Sequence, residues 1–599
     1  MTATTRRGPG VASCERRAFD VVIAGMGLVG ASLALECGRR GLRCLVADPR
    51  REVADLRRHP RCKLINVRSM MHMRRWGLAG ALRDADPLPA GWPMTVRFAT
   101  RLLGIGIAEF RDVFGAGTGR PDDYPERPQW IPQPLTERLL RERAAACASV
   151  VLRLGWSVQS YSDAADGGLT VTLADERGAP AAVRARFLVG CDGARSTVRE
   201  CAGIGMTGSQ RVIRGLGVVF WMPTVRGLAP AIQHWLVNDD APALAGPLDG
   251  NGHWFLQAHL PHGVSPGDVG VDRLLKRVIG GDLQARVLDV TPWEAPELLA
   301  DAYRRGRVLL AGDAAHLHPP YGGHGANCGI GDAVDLGWKL AATIQGWGGP
   351  ALLDSYELER RSLAARVIRE AVANARALGP DLLAAVDDPE ARGSLEADGG
   401  RGDGARHALA EVIGREKERE FRSLGLVLGS SYERSPVIAR EPGIAPAPEP
   451  CTYSPSAHPG HLAPHAWLPD GRSLFDLLSD GFTLISLERE RAPVGVDQHR
   501  QAQRMVAAAR AVGMPLSHVR VADERLLELY GARMALIRPD QHVCWRGDRL
   551  PARPSELLNL VRGAAANQTS APVQEIVPRA RGSARRAPTR PGAAASPRP

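Results

Sequence analysis

Hydrophobic and polar positions near the N-terminus outline a strand, a helix and a second strand. Val21 to Ala24 is a short unbroken apolar run, typical of a strand that is buried on both faces. A helix is predicted from about Leu28 to Arg40, and Gly41 ends it. The segment RCLVAD then predicts a second strand that finishes at Asp48. The pattern indicates a βαβ unit with parallel strands.

The turn after the first strand carries three glycines in the pattern G-x-G-x-x-G. Gly25 permits a tight turn, Gly27 lets the backbone approach a pyrophosphate, and Gly30 lets helix and strand pack closely. The helix offers its positive N-terminus to phosphates. An acid 18 residues after the last glycine can accept hydrogen bonds from ribose hydroxyls. The dinucleotide site is therefore predicted to include Gly25, Gly27, Leu28, Val29, Gly30 and Asp48.

Two later segments repeat the theme of a strand that ends in glycine and aspartate. FLVGCDGARSTVRE ends its strand at Asp192-Gly193, and RVLLAGDAAHLHPPYGGHGANCGIGDA ends its strand at Gly312-Asp313. Ligands of open parallel sheets bind at the carboxyl ends of the strands. Three such ends suit one long dinucleotide laid across them.

The remaining segments have a different texture. Residues 86–125 and 204–298 are rich in Gly and Pro and contain short β-like runs. The stretch DDPEARGSLEADGGRGDGARHA predicts a mobile loop. The Pro-, Ala-, Gly-, Ser- and Arg-rich C-terminus is predicted to be disordered.

The net charge of +11 suggests a nucleic-acid or anionic-membrane partner. The charge is concentrated at the ends, because the first 18 residues carry +3 and the segment from Ala571 carries +5. That leaves +3 for everything between, and no basic stripe interleaved with aromatics is present there. We therefore expect neither a nucleic-acid partner nor a membrane partner.

Targeting and redox signals are weak. The two arginines before the first strand faintly resemble a twin-arginine signal, but only 15 uncharged residues follow Asp20, too few to span a bilayer. The ten cysteines show no C-x-x-C and no paired framework. They predict reduced thiols in a cytoplasmic protein.

The three glycine-containing motifs, in this order, resemble those of the single-component FAD-dependent aromatic monooxygenases of the p-hydroxybenzoate hydroxylase type. HPRCKLINVRSMMHMRRWGL is similar to the family's arginine-containing segment, WIPQPLTERLL to its glutamine-bearing helix start, and LLDSYELERR to the segment after its G-D helix. GLVLGSSYERSPVI, DGRSLFDLLSDGFTLISL and LIRPDQHVCWRG resemble the thioredoxin-like domain of the phenol and polyketide hydroxylase branch.

The resemblance implies an α/β fold: an FAD-binding Rossmann-like domain of the glutathione-reductase type, an inserted β-sheet substrate domain, and a C-terminal thioredoxin-like α/β domain. Without a C-x-x-C, disulfide exchange is not expected of the last domain, which is expected to be structural and to offer a homodimer surface. The expected segments are a tail (1–18), FAD-binding parts (19–85, 126–203, and 299–425 with a helical linker), substrate-sheet parts (86–125, 204–298), the thioredoxin-like domain (426–562) and a basic tail (563–599).

The histidine-rich loop after Gly312 permits two interpretations. His316, His318 and His324 could be metal ligands, but Pro319-Pro320 imposes an extended backbone between them. The resemblance instead implies a flavin loop, so no metal is expected. In that interpretation Asp313 bonds a ribityl hydroxyl, Pro319 lies against the flavin ring, and Gly322 to Gly325 bring N–H groups to the ring. The further cofactor-binding residues implied are Arg61, Gln133, Asp192, Gly193, Gly312, Asp313, Pro319, Gly325, Ala326 and Asn327.

The reaction implied is hydroxylation of an electron-rich phenolic or polyketide-like aromatic by FAD, NAD(P)H and O2, through a flavin C4a-hydroperoxide. No catalytic acid or base is assigned from the sequence. The loop expected to meet the flavin and oxygen comprises Pro319, Gly322 and Gly323. A base that ionises the phenol is expected in the substrate sheet. NADPH is favoured over NADH, with transient contacts expected from Asp192, Arg195 and Arg199. The substrate candidates are Trp221, Gln233, Trp235, Trp254 and Tyr321.

Other functions stay open on the sequence. A Baeyer–Villiger or epoxidising flavin oxygenase could share the fold. A halogenase or an isoprenoid reductase is a weaker alternative, because the W-x-W-x-I-P signature of tryptophan halogenases is missing. A catalytically silent flavoprotein that only guards a pathway intermediate would also carry these motifs.

Overall fold

The computed structural model describes residues 18–55, 63–238, 241–260, 263–281, 283–376, 394–432, 434–442, 449–489 and 496–565. Arg61 lies outside the described residues. Of the two predicted tails, residues 1–17 and 566–599 also lie outside them.

Strands and helices alternate in the first part of the chain and again near its end. The strands are β1 (Phe19–Ala24), β2 (Cys44–Asp48), β3 (Leu64–Ile65), β4 (Val96–Ala99), β5 (Gly106–Phe110), β6 (Gln129–Trp130), β7 (Val150–Leu154), β8 (Trp156–Asp163), β9 (Leu169–Asp175), β10 (Pro180–Gly190), β11 (Met206–Trp221), β12 (Gln233–Leu236), β13 (Ala243–Pro247), β14 (His253–His259), β15 (Arg286–Ala300), β16 (Arg304–Arg305), β17 (Val308–Leu310), β18 (His316–Leu317), β19 (Phe482–Glu488), β20 (Leu516–Ala522), β21 (Met534–Ile537) and β22 (Val543–Gly547).

The helices are α1 (Leu28–Arg39), α2 (Val67–Arg75), α3 (Ala79–Asp84), α4 (Gln133–Ala145), α5 (Thr197–Cys201), α6 (Val271–Ile279), α7 (His324–Ile344), α8 (Ala351–Arg376), α9 (Gly400–Phe421), α10 (Leu424–Leu428), α11 (Val496–Ala511), α12 (Glu524–Tyr530) and α13 (Pro554–Val561).

The first sheet has the parallel core that the N-terminal pattern predicts. Its order is β16-β17-β10-β1-β2-β7, and β8 and β9 extend β10 in antiparallel fashion. β1 pairs in parallel with both β2 and β10, and β10 pairs in parallel with β17. The strands that precede the three glycine-containing motifs are therefore neighbours, and their carboxyl ends meet at one edge.

The second sheet is mostly antiparallel, with the order β18-β15-β11-β14-β13-β12-β4-β5. All its strands except β18 come from the two Gly- and Pro-rich segments, and within this sheet β12 and β4 are the only described strands that pair in parallel. Side chains alternate between its faces. Phe255 and Trp235 pack in one apolar cluster, whereas Trp254, Leu256 and Leu236 pack in another.

The third sheet, β20-β19-β21-β22, forms a separate α/β layer with α11, α12 and α13. β19 pairs in parallel with β20 and antiparallel with β21. Arg538, which is fully buried, fastens this layer to the first part of the chain: its guanidinium lies 2.8 Å from Asp335 of α7 and 2.7 Å from Glu359 of α8. The predicted three-part α/β fold class is confirmed.

The second half of the stretch that was predicted to contain a mobile loop is helical. Residues 387–393 lie outside the described residues, but α9 begins at Gly400 and continues to Phe421. The glycines of GGRGDG favour a loop locally. Arg406 offsets this by donating hydrogen bonds to the carbonyls of Leu395 and Ala397, which hold the entry to the helix.

Among the described residues, no helix combines the length and the apolar character that crossing a membrane requires.

Candidate functional site

One continuous cleft of about 870 Å³ runs from the carboxyl edge of the first sheet to the second sheet. A volume of this size lies in the upper part of the range of ligand and cofactor pockets. At one end the walls include the Gly25 turn and Asp48, and at the other Trp235 and Phe255. Both ends therefore belong to one space.

The glycine turn after β1 is shaped so that only glycine fits at two positions. Gly25 has φ +95°, and a Cβ on it would collide with the Cys191 carbonyl. A Cβ on Gly30 would collide with the Gly25 carbonyl. At Gly27 the nearest protein atom to a Cβ is 3.9 Å away, and the residue lines the cleft. Gly27 therefore leaves space for a ligand. Gly25 and Gly30 instead allow main-chain segments of the protein to approach each other closely.

Asp48 sits at the end of β2 with its carboxylate already partly engaged. It accepts hydrogen bonds from the amide of Met26 at 2.6 Å and the amide of Arg50 at 2.7 Å. Burial raises the pKa of Asp48, but these bonds and the Arg50 guanidinium outweigh burial and hold the pKa below its usual value. The side chain is thus an ionised acceptor at the cleft wall.

The helix that follows presents its first amides to the cleft. α1 begins at Leu28 after Gly27, and no side chain among the described residues caps it. Leu28 and Val29 both line the cleft. Gln133, at the start of α4, lines the same end. These groups suit a pyrophosphate, because anions bind at uncapped helix N-termini.

The three residues expected to contact NAD(P)H have different surroundings in the structure. Asp192 lines the cleft, but its carboxylate accepts hydrogen bonds from the Ser196 hydroxyl at 2.5 Å and the Val198 amide at 3.1 Å, at the start of α5. Arg199 is buried and donates to the carbonyls of Ala314 and Ala194. Arg195 is exposed and lines the cleft beside Gly193.

The loop after β17 brings several predicted residues to the cleft and withdraws others. Asp313, Gly322, Gly323, Gly325 and Ala326 line the cleft. Pro319 is buried off the cleft wall, and Pro320 lies on the wall instead. Pro320 is thus the proline that a bound ring would meet.

Two further predicted residues of this loop serve the protein rather than the cleft. Gly312 is buried, and its amide donates to Asp332 at 3.0 Å. Asn327 accepts a hydrogen bond from the Asn66 amide and donates to the carbonyls of Leu64 and Gly323. Both residues hold the loop in place from behind.

The three histidines of the loop do not converge. The rings of His316 and His318 are stacked with centroids 6.4 Å apart, and His318 Nδ1 bonds the Pro319 carbonyl. Burial lowers the pKa of His318 to about 4 and that of His324 to about 3, so both are neutral. The ring of His324 fills the space beside Gly322. His318 and His324 therefore act as packed neutral rings.

His316 belongs to a buried polar cluster instead. Its Nε2 lies 2.9 Å from Asp332, whose other oxygen pairs with the Arg360 guanidinium at 2.7 Å. Burial opposes its charge, but Cys328 and Asp332 raise the pKa of His316 well above its usual value. The ligand-type atoms of His316, Cys328 and Asp332 lie within 4.8 Å of one another. A metal ion there would have to compete with Arg360 for the same carboxylate.

Aromatic side chains from the second sheet build the far end of the cleft. In β12, Gln233 and Trp235 face the cleft, and in β14, Phe255 and Gln257 do so. Sequence reasoning missed Phe255 and Gln257, although their alternation along β14 was a usable signal. The missed residues at this end of the cleft are Lys63, Phe114, Trp130, Leu244, Phe255, Gln257, Trp293 and Glu420.

Two of the five substrate candidates lie away from the cleft. Trp254 packs against Phe220 on the opposite face of the sheet. Trp221, at the end of β11, donates its indole N–H to the Asn251 carbonyl and does not line the cleft. Gln233, Trp235 and Tyr321 line it, so the structure brings three of the five together.

Among the described residues of this wall, Tyr321 carries the hydroxyl that is joined to an imidazole. Its Oη is hydrogen-bonded to Nε2 of His259, the last residue of β14, which lies just behind the wall. Burial lowers the pKa of His259, and burial with Glu420 raises the pKa of Tyr321. A neutral imidazole accepts through Nε2 when Nδ1 carries the proton, so Tyr321 donates. The pair thus joins the cleft wall to an imidazole through one hydrogen bond.

Two family models match the chain. A model described as FAD binding domain matches residues 18–371, and one described as aromatic-ring hydroxylase, C-terminal, matches residues 456–566.

Curated relatives and solved structures agree with these matches. Aklavinone 12-hydroxylase DnrF of Streptomyces peucetius is 32% identical over 78% of this chain and 91% of its own length. The tetracenomycin B2 monooxygenase-dioxygenase of Streptomyces olivaceus is 30% identical over 91% of this chain and 98% of its own. The rebeccamycin biosynthetic enzyme RebC with reduced flavin superposes with a TM-score of 0.80 at 34% identity, over 92% of this chain and 99% of that one.

Proposed function

This chain belongs to the FAD-dependent aromatic-ring hydroxylases, and from that premise we propose that it uses NAD(P)H and O2 to hydroxylate a phenolic, polyketide-like aromatic. The observation that carries the proposal is the single cleft with dinucleotide motifs at one end and an aromatic wall at the other. The relatives named for aklavinone and tetracenomycin support a polycyclic substrate class.

The residues present fit FAD. The Gly27 position is open where a pyrophosphate would approach, and the N-terminus of α1 lies beside it. Asp48 supplies an ionised acceptor for a ribose hydroxyl, and Asp313 is the acceptor on the flavin side. The N-terminus of α7, after Gly323, borders the same space and favours negative charge on a bound ring. When bound, FAD supplies hydride acceptance from a nicotinamide and activation of O2.

Tyr321 and His259 are the proposed proton-moving groups. A substrate hydroxyl that donates to Tyr321 Oη loses its proton to that oxygen while the Tyr321 proton passes to His259 Nε2. The products are a phenolate, an intact tyrosine and an imidazolium. An ionised phenol is the more electron-rich ring, and His259 is partly exposed, so the proton can leave to water. This is the base in the second sheet that the sequence left unassigned.

The aromatic wall orients the ring and excludes water. Trp235 stacks on Phe98 and lies beside Tyr321, with ring centroids 5.7 and 6.1 Å apart. Excluding water from such a site limits the release of the activated oxygen as hydrogen peroxide. Flat polycyclic molecules gain most from a wall of this kind, because aromatic faces contribute stacking beyond area burial.

Arg195 is the proposed contact for the nicotinamide cofactor. Arg195 is the one of the three sequence candidates that is exposed on the cleft. Asp192 instead bonds the start of α5, and Arg199 is buried and bonds main-chain carbonyls. An arginine near such a site accommodates the 2′-phosphate that distinguishes NADPH from NADH. We therefore propose NADPH as the reductant.

The test is NADPH oxidation by the purified full chain with FAD, measured with and without hydroxylated polycyclic aromatics. Stimulation with formation of a product that carries one additional hydroxyl group on the aromatic ring supports the proposal; the mass alone does not decide, because a lactone or an epoxide also gains one oxygen. A ring-expanded lactone or an epoxide would identify the other flavin oxygenases instead. Failure of every aromatic to stimulate oxidation would contradict the proposal and favour a flavoprotein that only binds an intermediate.

A further inference from the structure

The linker helix α9 lies in residues 372–455, between the two matched family models, yet it supplies part of the cleft wall. Near its end, Lys417 and Glu420 form a buried ion pair, with the ammonium 2.9 Å from a carboxylate oxygen. Glu420 lines the cleft beside the Tyr321 turn. Charged side chains are rarely fully buried unless they are paired, because removing them from water costs free energy.

Three groups lie against the Lys417 ammonium. One N–H faces Glu420, one donates to the Asn374 carbonyl at 3.2 Å, and the ammonium lies 4.3 Å from the centre of the Trp235 ring. Burial lowers the pKa of Lys417, while Glu420 acts in the opposite direction. Lys417 is buried and is not part of the cleft wall, so its role is to hold the neighbouring carboxylate in place.

Glu420 has acceptor capacity to spare. One oxygen accepts the Lys417 N–H, and the other accepts the Gly322 amide at 3.1 Å. An ionised carboxylate has about four lone-pair sites, so about two are not used by these bonds. Because Glu420 lies on the cleft wall, a ligand can reach the remaining capacity.

The surroundings of this carboxylate are aromatic. Phe421, the next residue, packs against Trp235 and Phe114 with ring centroids 6.2 and 6.0 Å apart. A carboxylate in such a wall attracts a hydrogen-bond donor and repels an anion or a bare ether oxygen. The other titratable groups that interact with the pair are Tyr321, through Glu420, and His259, through Lys417.

We propose that Glu420 is a specificity-determining residue that accepts a hydrogen bond from a hydroxyl or ring N–H on the edge of the aromatic substrate, and that Lys417 is its positioning residue. This rests on the proposed function, because it concerns the same cleft. The bond to the Gly322 amide also ties the position of the carboxylate to the turn that borders the cofactor half.

The test compares two probes, 2,6-dihydroxyanthraquinone and 2,6-dimethoxyanthraquinone, on the FAD-loaded full chain. Their dissociation constants are measured from the change in the flavin absorption spectrum. The wild-type protein should bind the hydroxylated probe about tenfold or more tightly than the ether, as hydrogen bonds to charged groups give. Glu420→Gln should reduce this ratio by about tenfold.

Glu418→Gln is the matched control, since Glu418 lies on the same helix but is more than half exposed and lines no part of the cleft. It should keep the wild-type ratio. Glu420→Gln leaves Lys417 buried without its partner, so a double variant, Lys417→Met with Glu420→Gln, removes both charges. Because both probes are measured on one protein, a general loss of structure weakens both and leaves the ratio unchanged.

The inference is overturned if the wild-type protein has no preference for the hydroxylated probe, or if both Glu420 variants keep the wild-type ratio. In either case a wild-type protein that still oxidises NADPH in response to phenols leaves the proposed function intact. If no aromatic changes the flavin spectrum or stimulates NADPH oxidation, the proposed function fails and takes this inference with it.

Discussion

The two ends of the cleft are built from different parts of the polypeptide. At the Gly25 end the shape is set by the main chain: a left-handed glycine, a helix N-terminus and one acid held by backbone amides. At the Trp235 end the shape is set by side chains that come from β12, β14 and α9. Main-chain geometry tolerates few alternatives, whereas a wall of side chains can be changed one residue at a time. Substitutions at the first end should therefore act on the cofactor, and those at the second on the substrate.

The largest effect is expected from Gly25→Ala. A Cβ there collides with the Cys191 carbonyl at a φ of +95°, so the protein should lose FAD on purification and unfold at a lower temperature. Gly27→Ala is the matched variant, because its Cβ meets nothing in the protein within 3.9 Å. It should keep the thermal stability of the FAD-free protein and still bind FAD roughly 100-fold more weakly. Equal behaviour of the two variants would contradict this division.

Tyr321→Phe tests the proton path at the other end. Removing the hydroxyl should lower kcat by about 100-fold, as loss of acid–base assistance does, and leave FAD content unchanged. Burial lowers the pKa of His259, so the neutral base is present above that lowered pKa, and the wild-type rate should fall only as the pH drops through it. A pH–rate profile of both proteins checks this. A wild-type kcat in the variant would exclude the relay.

Asp48→Asn should weaken the binding of FAD by about tenfold and leave the affinity for aromatic ligands unchanged. The carboxylate pKa is held below its usual value, so the wild-type acceptor stays charged at neutral pH and is lost only as the pH falls through that lowered pKa. Asp20→Asn is the control, because Asp20 lies at the other end of the strands and bonds the Arg43 amide. Calorimetric titration with FAD would measure both. Equal losses would mean that Asp48 has no special role.

The smallest effect is expected from Trp235→Phe. The smaller ring should weaken the binding of aromatic ligands by about two- to tenfold, because one aromatic contact contributes about that much to affinity. The affinity for FAD should not change. Trp254→Phe, on the opposite face of the same sheet, should leave ligand affinity unchanged. Fluorescence titration distinguishes them, and the reverse order would place the ligand on the other face.

The cofactor end was largely predictable from sequence because its motif is local. Gly25, Gly27 and Asp48 stand at fixed spacing within one βαβ unit, and the structure places all of them on the cleft. Pro319 shows the limit of this reasoning, since which of two adjacent prolines reaches the wall depends on the path of the loop. At the substrate end, choosing tryptophans by residue type gave Trp254, although strand alternation places it on the opposite face.

Glu420 was beyond reach of the sequence for a different reason. It lies nearly 100 residues after Gly322, near the end of α9, and only tertiary packing brings the two together. Long-range contacts of this kind leave no local pattern. The same holds for Arg538, which joins the third sheet to α7 and α8.

The most direct test of the account is the visible absorption spectrum of the purified full chain, recorded before and after addition of a hydroxylated polycyclic aromatic. One cleft that holds both ligands predicts the two bands of a bound flavin and a shift of those bands when the aromatic binds beside the ring. A protein that stays colourless after FAD is added would contradict the account. Flavin bands that do not respond to any aromatic would contradict the substrate end of the cleft.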